Sequence, residues 1–216
     1  MDRLGKKTYH TIRVPYDPKR DEVWKAIAED IMNRFSVNKK CIVDLGCGYG
    51  EFIRNVRAAK RIGIDIHPDM ANFMDEGIEF HNRHVLDMDF LEDNSVDIFF
   101  ASNLIEHLNK NDARKLFATI FEKLANHGRF IVLQPNFRLC YKNYFDDYTH
   151  ESIYTDESLC DFLQSCNYSI VFRKAGYLPF SMKSRLPRSY WMTKLFLKLK
   201  SPLLGKQMLV VAKKEL

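Results

Sequence analysis

Three of the nine glycines in this 216-residue chain lie within five residues of one another, at Gly46, Gly48 and Gly50. They follow a short apolar run, Cys41 to Leu45, which predicts a buried strand, and they precede a helical pattern that starts near Phe52. Glycine lets the backbone turn tightly and lets a ligand approach the main chain, and a following helix N-terminus offers free N–H groups. A strand, a glycine turn and a helix in this order favour an α/β fold with a ligand at the turn. Such turns also occur for steric reasons alone, so the motif needs support from the rest of the chain.

Apolar runs and helical patterns alternate along most of the sequence. Further strands are predicted at 61–66, 78–85, 96–101, 129–133, 168–173 and 207–212, and helices at 21–35, 68–76, 112–125 and 156–164. Parallel neighbours need crossover connections, so this alternation predicts a parallel sheet with helices on both faces. No internal repeat or Gly/Ser linker divides the chain, which favours a single domain.

Two acidic residues indicate the kind of ligand. Asp65 closes the second predicted strand about 20 residues after Gly46, where a carboxylate can accept hydrogen bonds from both hydroxyls of a ribose. Asp44 immediately precedes the turn, and its charge would repel a pyrophosphate but attract a cation. The pattern therefore predicts a nucleoside that carries positive charge. Asp65 could alternatively be an ordinary helix N-cap.

These residues resemble the class I S-adenosylmethionine (SAM)-dependent methyltransferases, in particular the small-molecule and glycan-type branch. VDLGCGYG at 43–50 is similar to the first family motif, GIDI at 63–66 to the acidic end of the second strand, and VDIFFASNLIEHL at 96–108 to the fourth strand and the segment after it. The resemblance implies a Rossmann-like, doubly wound, seven-stranded α/β sheet that is mostly parallel with an antiparallel C-terminal strand. One methyltransferase domain then spans 1–216, with an N-terminal lead and helix (1–38), a cofactor-binding core (39–134), an acceptor-side segment with a basic insert (135–206) and a final strand (207–216).

The resemblance also implies roles for individual residues. The glycines line the methionine part of SAM, Asp44 lies near its amino group, and Asn103 lies near the sulfonium. Asp87 faces the adenine, with Asp89 as the alternative, and Arg20 and Trp24 close over the cofactor. The complete implied cofactor-binding set is Arg20, Asp44, Gly46, Cys47, Gly48, Gly50, Asp65, Ile66, Asp87, Met88 and Asn103. Asp87 could instead be a helix N-cap, and Cys47 could be a small apolar filler at the turn. The resemblance also implies that S-adenosylhomocysteine is the product of the reaction.

The segment from Asn136 to Tyr154 is too polar and aromatic for a core and is predicted to hold the acceptor, since ligands lie beyond the carboxyl ends of the strands. His150 is the first candidate for a general base, with His107 as the alternative. Asp146 or Asp147 would orient His150, and Arg138, Tyr144 and Tyr148 share the segment. The alternative is a capping and turn segment before the next helix.

No metal site is predicted, because Glu106 and His107 are adjacent and should point to different sides of a helix, with no further cluster to complete a ligand set. The expected chemistry is O-methylation of a small molecule or a saccharide, as in polysaccharide biosynthesis. A lipid-linked glycan is one form that the saccharide acceptor could take. An RNA or protein methyltransferase and a catalytically silent SAM-binding scaffold are the alternatives.

Charge is unevenly distributed. Ten of the 33 Lys and Arg residues but a single acidic residue lie beyond residue 173, so the basic balance of the chain comes from its last part. Trp191, Met192, Leu195, Phe196 and Leu199 are predicted to share one helical face opposite Lys194 and Lys198. The segment 183–206 is therefore expected to contact an anionic membrane surface, with core burial or a solvated basic face as alternatives.

The cellular setting is inferred from what the sequence lacks. The five cysteines form no CxxC pair, and no signal peptide or membrane-spanning run is seen. A cytoplasmic protein, peripheral at the inner face of the membrane, is expected. Nucleic acid is not an expected partner, because no known RNA-binding module accompanies the basic segment, and no oligomeric state is predicted.

Overall fold

The computed structural model describes residues 15–35, 40–178, 189–198 and 205–215. The helices of this part are α1 (Lys19–Phe35), α2 (Lys110–Lys123), α3 (Phe137–Cys140), α4 (Asp156–Gln164) and α5 (Tyr190–Lys198). The strands are β1 (Cys41–Leu45), β2 (Lys60–Asp65), β3 (Ile78–Asn82), β4 (Val96–Ser102), β5 (Leu124–Pro135), β6 (Tyr168–Leu178) and β7 (Gln207–Lys214). Leu199 and the stretches 183–188 and 199–204 of the predicted membrane segment lie outside the described residues.

The described strands form a seven-stranded sheet in the order β3-β2-β1-β4-β5-β7-β6. Strands β1 to β5 pair in parallel, and β7 runs antiparallel to both β5 and β6. The predicted fold class is therefore confirmed. The strand order reverses between β1 and β4, and a crevice at such a switch point is where open α/β sheets bind ligands.

Each face of the sheet is covered by helices, because successive strand residues point to opposite sides. On one face, Val43, Ile64 and Phe130 pack in a core with Leu116 of α2 and Leu159 of α4. On the other face, the core contains strand residues together with α1, the glycine-turn segment and Leu197 of α5. The prediction of helices on both faces is confirmed.

The crossovers around β2 are shorter than the sequence pattern predicts. The helix expected after the glycine turn is a single 3₁₀ turn, Ile53–Asn55, and the helix expected at 68–76 is the 3₁₀ segment Pro68–Phe73. Helix α1 already covers this face, with Trp24 and Ile31 in one core with Phe52. The crossover therefore has little sheet left to bury, and one turn suffices.

Helix α5 exposes much of the predicted apolar face, but Lys198 does not lie opposite that face. Its buried residues are Thr193 and Leu197, while Trp191 is 75% exposed and Leu195 is 64% exposed. Lys198 follows Leu195 by three positions, so it lies on the same exposed side as the apolar residues rather than opposite them. The expected position of Lys198 was therefore wrong, while Lys194 lies on the other side of the helix, against Glu29 of α1. None of the described helices is both long and apolar enough to cross a membrane.

Candidate active site

The turn after β1 is built from backbone conformations that favour glycine. Gly46, Gly48 and Gly50 have φ angles of +64°, +51° and +73°. In the left-handed region a Cβ atom is disfavoured, so these positions need glycine. The N–H of Cys47 donates to the carbonyl of Ile64 in β2 at 3.0 Å, which ties the turn to the neighbouring strand.

Asp65, at the end of β2, lies directly against this turn and is 4% exposed. Its carboxylate accepts hydrogen bonds from the N–H of Gly48 and the N–H of His67, both at 2.9 Å. The N-cap of the following 3₁₀ segment is His67, so Asp65 is not that segment's N-cap. Each carboxylate oxygen can accept a second hydrogen bond, so the side chain can still bind hydroxyl groups. Its ribose contact remains a prediction.

A cavity of about 450 Å³ opens at the carboxyl ends of β1, β4 and β5. Its volume falls in the range of small-molecule sites. Of the residues predicted for the cofactor or the acceptor, the cavity is lined by Arg20, Trp24, Asp44, Gly46, Cys47, Gly48, Asn103, His107, Tyr144, Asp146, Asp147 and His150. Residues that the sequence assigned to the cofactor and residues that it assigned to the acceptor therefore line one and the same cavity.

Other predicted residues lie outside the lining of this cavity: Gly50, Asp65, Ile66, Asp87, Met88, Arg138 and Tyr148. Asp87 and Asp89 both pair with Arg83, at 3.2 and 2.7 Å, so the choice of the residue facing the adenine stays open. Met88 is buried, whereas Ile66 is 58% exposed and Tyr148 is 75% exposed. The roles of these residues remain predictions.

One end of the cavity is acidic and buried. Asp44 and Glu51 are 3% and 6% exposed. Glu51 is held by Arg20, with Nε to Oε1 at 2.6 Å and Nη2 to Oε2 at 3.1 Å. Among the described residues no basic side chain forms an ion pair with Asp44. Burial, together with the charges of Glu51 and Asp65, raises the pKa of Asp44 well above its usual range.

This acidic end fits the chemistry of SAM, which carries both an ammonium and a sulfonium group. A buried carboxyl that lacks a cationic partner gains most from a ligand that supplies one. Asn103, the predicted neighbour of the sulfonium, is fixed in the lining by the side chain of Gln207, whose Nε2 donates to its Oδ1 at 3.0 Å. Sequence reasoning missed both Glu51 and Gln207. Glu51 could have been found, because it directly follows the last glycine of the turn.

The other end of the cavity contains a compact cluster of Glu106, His107 and His150. The 3₁₀ turn Ile105–His107 after β4 carries the first two, and a loop that follows Asp147 carries the third. The loop is held against the turn because the N–H groups of residues 151 and 152 both donate to the carbonyl of Glu106, at 2.9 and 3.0 Å. Two segments far apart in sequence thus meet at one point.

Within the cluster, Glu106 is completely buried and its side-chain oxygens have no hydrogen-bond partner in another described residue. Burial raises the pKa of Glu106 to about 8. The ring Nδ1 of His107 lies 3.1 Å from the carbonyl oxygen of Thr149 and 3.0 Å from its hydroxyl, and that hydroxyl donates to Asp147 at 2.7 Å. Burial, and then the neighbouring His150, lowers the pKa of His107, which keeps its ring neutral near neutral pH.

The expectation that Glu106 and His107 point apart was wrong. Adjacent residues of a 3₁₀ turn are about 120° apart, yet the side chains of both residues line the cavity. The possible ligand atoms of Glu106, His107 and His150 all lie within 4.8 Å of one another. Sequence reasoning considered this pair and set it aside, because it treated the segment as an α-helix and did not bring His150 to it.

Comparisons with known proteins agree with this geometry. Residues 42–128 match a family model described as a methyltransferase domain. Phosphoethanolamine N-methyltransferase of Plasmodium falciparum is 27% identical over 169 residues, which cover 71% of this chain and 61% of that protein. The chain therefore spans less than two thirds of that relative's length.

Two solved structures illustrate the shared fold. A SAM-dependent methyltransferase from Archaeoglobus fulgidus superposes with a TM-score of 0.67 at 22% identity, covering 90% of this chain and 94% of that one. Geranyl diphosphate C-methyltransferase from Streptomyces coelicolor A3(2), solved with Mg²⁺, geranyl diphosphate and S-adenosylhomocysteine, gives 0.65 at 16% identity, covering 88% and 78%. At these identities the structures establish a common fold.

The switch-point cavity, the glycine turn with its acidic end and the family match agree with one another. Residues 42–128 match the methyltransferase-domain family, and the described part of the chain shares its fold with solved SAM-dependent methyltransferases. The stretch that matches the methyltransferase-domain family, 42–128, contains β2 to β4, nearly all of β1, the glycine turn, and Glu106 and His107.

Proposed function

We propose that this protein transfers the methyl group of SAM to a hydroxyl group of a small molecule or a saccharide. The observation that carries the proposal is the single cavity that joins the acidic end at Asp44 to the cluster of Glu106, His107 and His150. The first end suits a cationic cofactor and the second suits an acceptor hydroxyl. Two of the proteins named above carry a small acceptor in their names, phosphoethanolamine and geranyl diphosphate, which supports a small-molecule acceptor.

SAM supplies an electrophilic methyl group on an excellent leaving group, so the protein has mainly to position and deprotonate the acceptor. Asp44 would hold the cofactor's ammonium group, Asp65 the ribose, and the backbone of the glycine turn the methionine part. His150, or His107 as the alternative, would accept the proton of the acceptor hydroxyl. Asp147 supports the histidine pair, because the hydroxyl of Thr149 links it to His107.

The preference for a saccharide is supported by aromatic rings next to the cavity. Tyr141 and Phe145 are each 58% exposed and Tyr148 is 75% exposed, all on the segment that also contributes Tyr144 and His150 to the lining. Exposed rings of this kind give flat apolar faces on which a sugar ring can pack. A lipid-linked glycan would be consistent with a site near a membrane surface.

We further propose that α5 contacts an anionic membrane. It presents Trp191, Met192 and Leu195 to solvent with Lys198 on the same side. An apolar strip with a flanking lysine suits the boundary between headgroups and acyl chains. This contact with the membrane would bring the cavity close to a lipid-linked substrate.

The first experiment is calorimetric titration with SAM and with S-adenosylhomocysteine, with NAD as the control. We expect micromolar binding of the first two ligands and none of NAD. An acceptor screen that starts with sugars and follows S-adenosylhomocysteine formation then tests transfer. Binding without turnover on any acceptor class would favour the silent scaffold, and turnover on RNA or a protein alone would replace the small-molecule proposal.

The acceptor base is tested by single substitutions. His150→Ala should lower turnover while leaving SAM affinity nearly intact, since the residue lies at the acceptor end of the cavity. If His107→Ala alone has this effect, the base is His107. Loss of SAM binding in both variants would contradict the division of the cavity into a cofactor end and an acceptor end.

A further inference from the structure

We propose that Glu106, His107 and His150 form a binding site for one divalent metal ion of the Zn²⁺ type, on the acceptor side of the cavity. The inference rests on the proposed methyl transfer for the role of the ion, but ion binding itself requires neither cofactor nor acceptor. Four features of the cluster carry it: convergence, an unsatisfied buried carboxyl, hydrogen-bond partners behind one histidine, and the type of ligand atoms.

The three side chains converge although their positions span 44 residues of sequence. One possible ligand atom from each lies within 4.8 Å of the others. Two ligands of a tetrahedral Zn²⁺ ion lie about 3.4 Å apart, because the bonds of nitrogen and oxygen to Zn²⁺ are roughly 2.1 Å long. Side-chain rotations that shorten these distances by about 1.4 Å or less would therefore complete the site.

Glu106 gives the strongest indication of a missing partner. It is 0% exposed, it faces the cavity, and neither side-chain oxygen bonds to another described residue. Buried polar atoms in folded proteins are nearly always satisfied, so an orphaned carboxyl calls for a ligand. A cation coordinated by the two histidines would lie next to these oxygens and would satisfy them.

His107 has the outer contact that metal-binding histidines usually show. Its Nδ1 lies 3.1 Å from the carbonyl oxygen of Thr149, to which it can donate a proton. A histidine ligand typically donates its second ring N–H to a carbonyl or carboxylate, which fixes the ring and leaves the other nitrogen for the ion. Thr149 in turn donates to Asp147, so the orientation of the ring is supported by a chain of hydrogen bonds.

The ligand atoms favour a particular group of metals. Two imidazoles and one carboxylate suit Zn²⁺ and neighbouring first-row ions, whereas Mg²⁺ and Ca²⁺ prefer all-oxygen sites. Three protein ligands leave a coordination position open, as in catalytic zinc sites. Here the open position would face the cavity that also contains Asn103.

The open position gives the ion a role in the proposed reaction. A hydroxyl oxygen bound to a divalent ion loses its proton more readily, and here the proton would pass to solvent water. The oxygen then forms the new O–C bond while the C–S bond of the cofactor breaks and its electron pair stays on sulfur. In this arrangement the histidines act as ligands that hold the acceptor, rather than as the direct base.

The test is metal binding by the full chain after treatment with a chelator. Zn²⁺ is titrated by calorimetry, and Co²⁺ is used as a spectroscopic probe of the ligand atoms. We expect one ion per chain and a visible Co²⁺ spectrum without a thiolate charge-transfer band. Glu106→Gln and His150→Ala should each weaken the affinity by roughly tenfold or more, while the exposed His127→Ala serves as the matched control and should leave it unchanged.

Three results would overturn the proposal: no ion bound, equal affinity in the wild type and both ligand variants, or a thiolate band from one of the cysteines. Thermal melting and S-adenosylhomocysteine titration on the same samples show whether the variants are folded. A chain that binds S-adenosylhomocysteine but no ion refutes the metal site and leaves methyl transfer standing. A chain that binds the ion but no cofactor refutes methyl transfer and leaves the metal site standing.

Discussion

At the scale of single residues, Asp65 is the last residue of β2, and its carboxylate also holds the glycine turn in place. Both of its oxygens accept backbone N–H groups, from Gly48 and His67. Any ribose hydroxyl must therefore use its remaining lone pairs, and the turn is already in position before the cofactor arrives. Preorganisation of this kind reduces the cost of binding.

The first prediction concerns this carboxylate. Asp65→Asn keeps the size of the side chain but removes its charge and one acceptor site, so SAM binding should weaken by about 1.5 to 3 kcal/mol, the scale of a hydrogen bond to a charged group. Calorimetry measures the change, and Asp75→Asn, at an exposed position after the 3₁₀ segment 68–73, is the control. An unchanged affinity would contradict the ribose contact.

Asp44 leads to a prediction about protons. Burial raises the pKa of its carboxyl, so the free protein holds a proton there at a higher pH than usual, whereas a bound ammonium group favours the ionised form. Binding of S-adenosylhomocysteine should therefore release protons, and affinity should fall as the pH is lowered through this raised pKa. Calorimetry in two buffers with different ionisation enthalpies measures the release.

Asp44→Asn should abolish that proton release while the exposed Asp75→Asn retains it. Identical heats for the wild type in both buffers would show that Asp44 does not change protonation on binding. The effect depends on the missing counter-charge near Asp44, since a carboxyl already paired with a base would be ionised in the free protein.

The sequence predicted some site residues better than others for a physical reason. Glycines in left-handed turns and acidic residues at strand ends are demanded by local backbone geometry, which a short stretch of sequence encodes. The cluster of Glu106 and His150 depends on a 3₁₀ turn and on a loop that returns from 44 residues away. No local pattern encodes that approach, so a metal role for Glu106 and His107 was considered and set aside.

At the scale of elements, α1 is fixed over the acidic end of the cavity by charge as well as by packing. Arg20 forms its two contacts with Glu51, and Asp21 pairs with Arg54 at 2.7 Å. Both partners follow the glycine turn directly. The start of α1 therefore closes one side of the cavity and couples this helix to the turn.

Breaking the buried pair should destabilise the protein. Arg20→Met leaves the Glu51 carboxylate buried without its counter-charge, which typically costs about 3 to 5 kcal/mol of unfolding free energy. Urea denaturation measures it, and Lys19→Met, at an exposed position of the same helix, is the control. The double variant Arg20→Met with Glu51→Gln should recover most of the loss; equal stability of all variants would mean that the pair contributes nothing.

The elements themselves were largely predictable because apolar periodicity records burial. Strands β1 and β4 and helix α4 have bounds at or within one residue of the predicted ones, and these elements are buried on one or both sides. The crossovers around β2 were not predictable, because their length depends on whether another helix already covers that face. Helix α1 does so, and it lies before β1 in the chain.

At the scale of the whole molecule, the basic excess is concentrated at the end of the chain. Residues beyond 173 contribute ten basic side chains and one acidic one. Within this part α5 is anchored to α1, with Lys194 bonded to Glu29 at 2.8 Å, and it turns its apolar strip outward. A fixed helix with an exposed apolar strip pays little ordering entropy on binding a surface.

The final prediction follows from this arrangement. The protein should co-sediment with vesicles that contain anionic phosphatidylglycerol, and less with vesicles of neutral phosphatidylcholine. Added salt should weaken binding, because screening reduces the attraction of the basic residues to the surface. The double variant Trp191→Ser with Leu195→Ser should release the protein at all salt concentrations, since burial of these two side chains supplies the apolar part of the binding energy.

Val171→Ser provides the matched control, because Val171 is an exposed apolar residue, 43% accessible, on β6 rather than on α5. Its loss should leave sedimentation unchanged. Equal binding of the wild type and the α5 double variant would mean that other residues of the basic end of the chain contact the membrane. Binding to neutral and anionic vesicles alike would remove charge from the explanation, because only an apolar contact is indifferent to the sign of the headgroup.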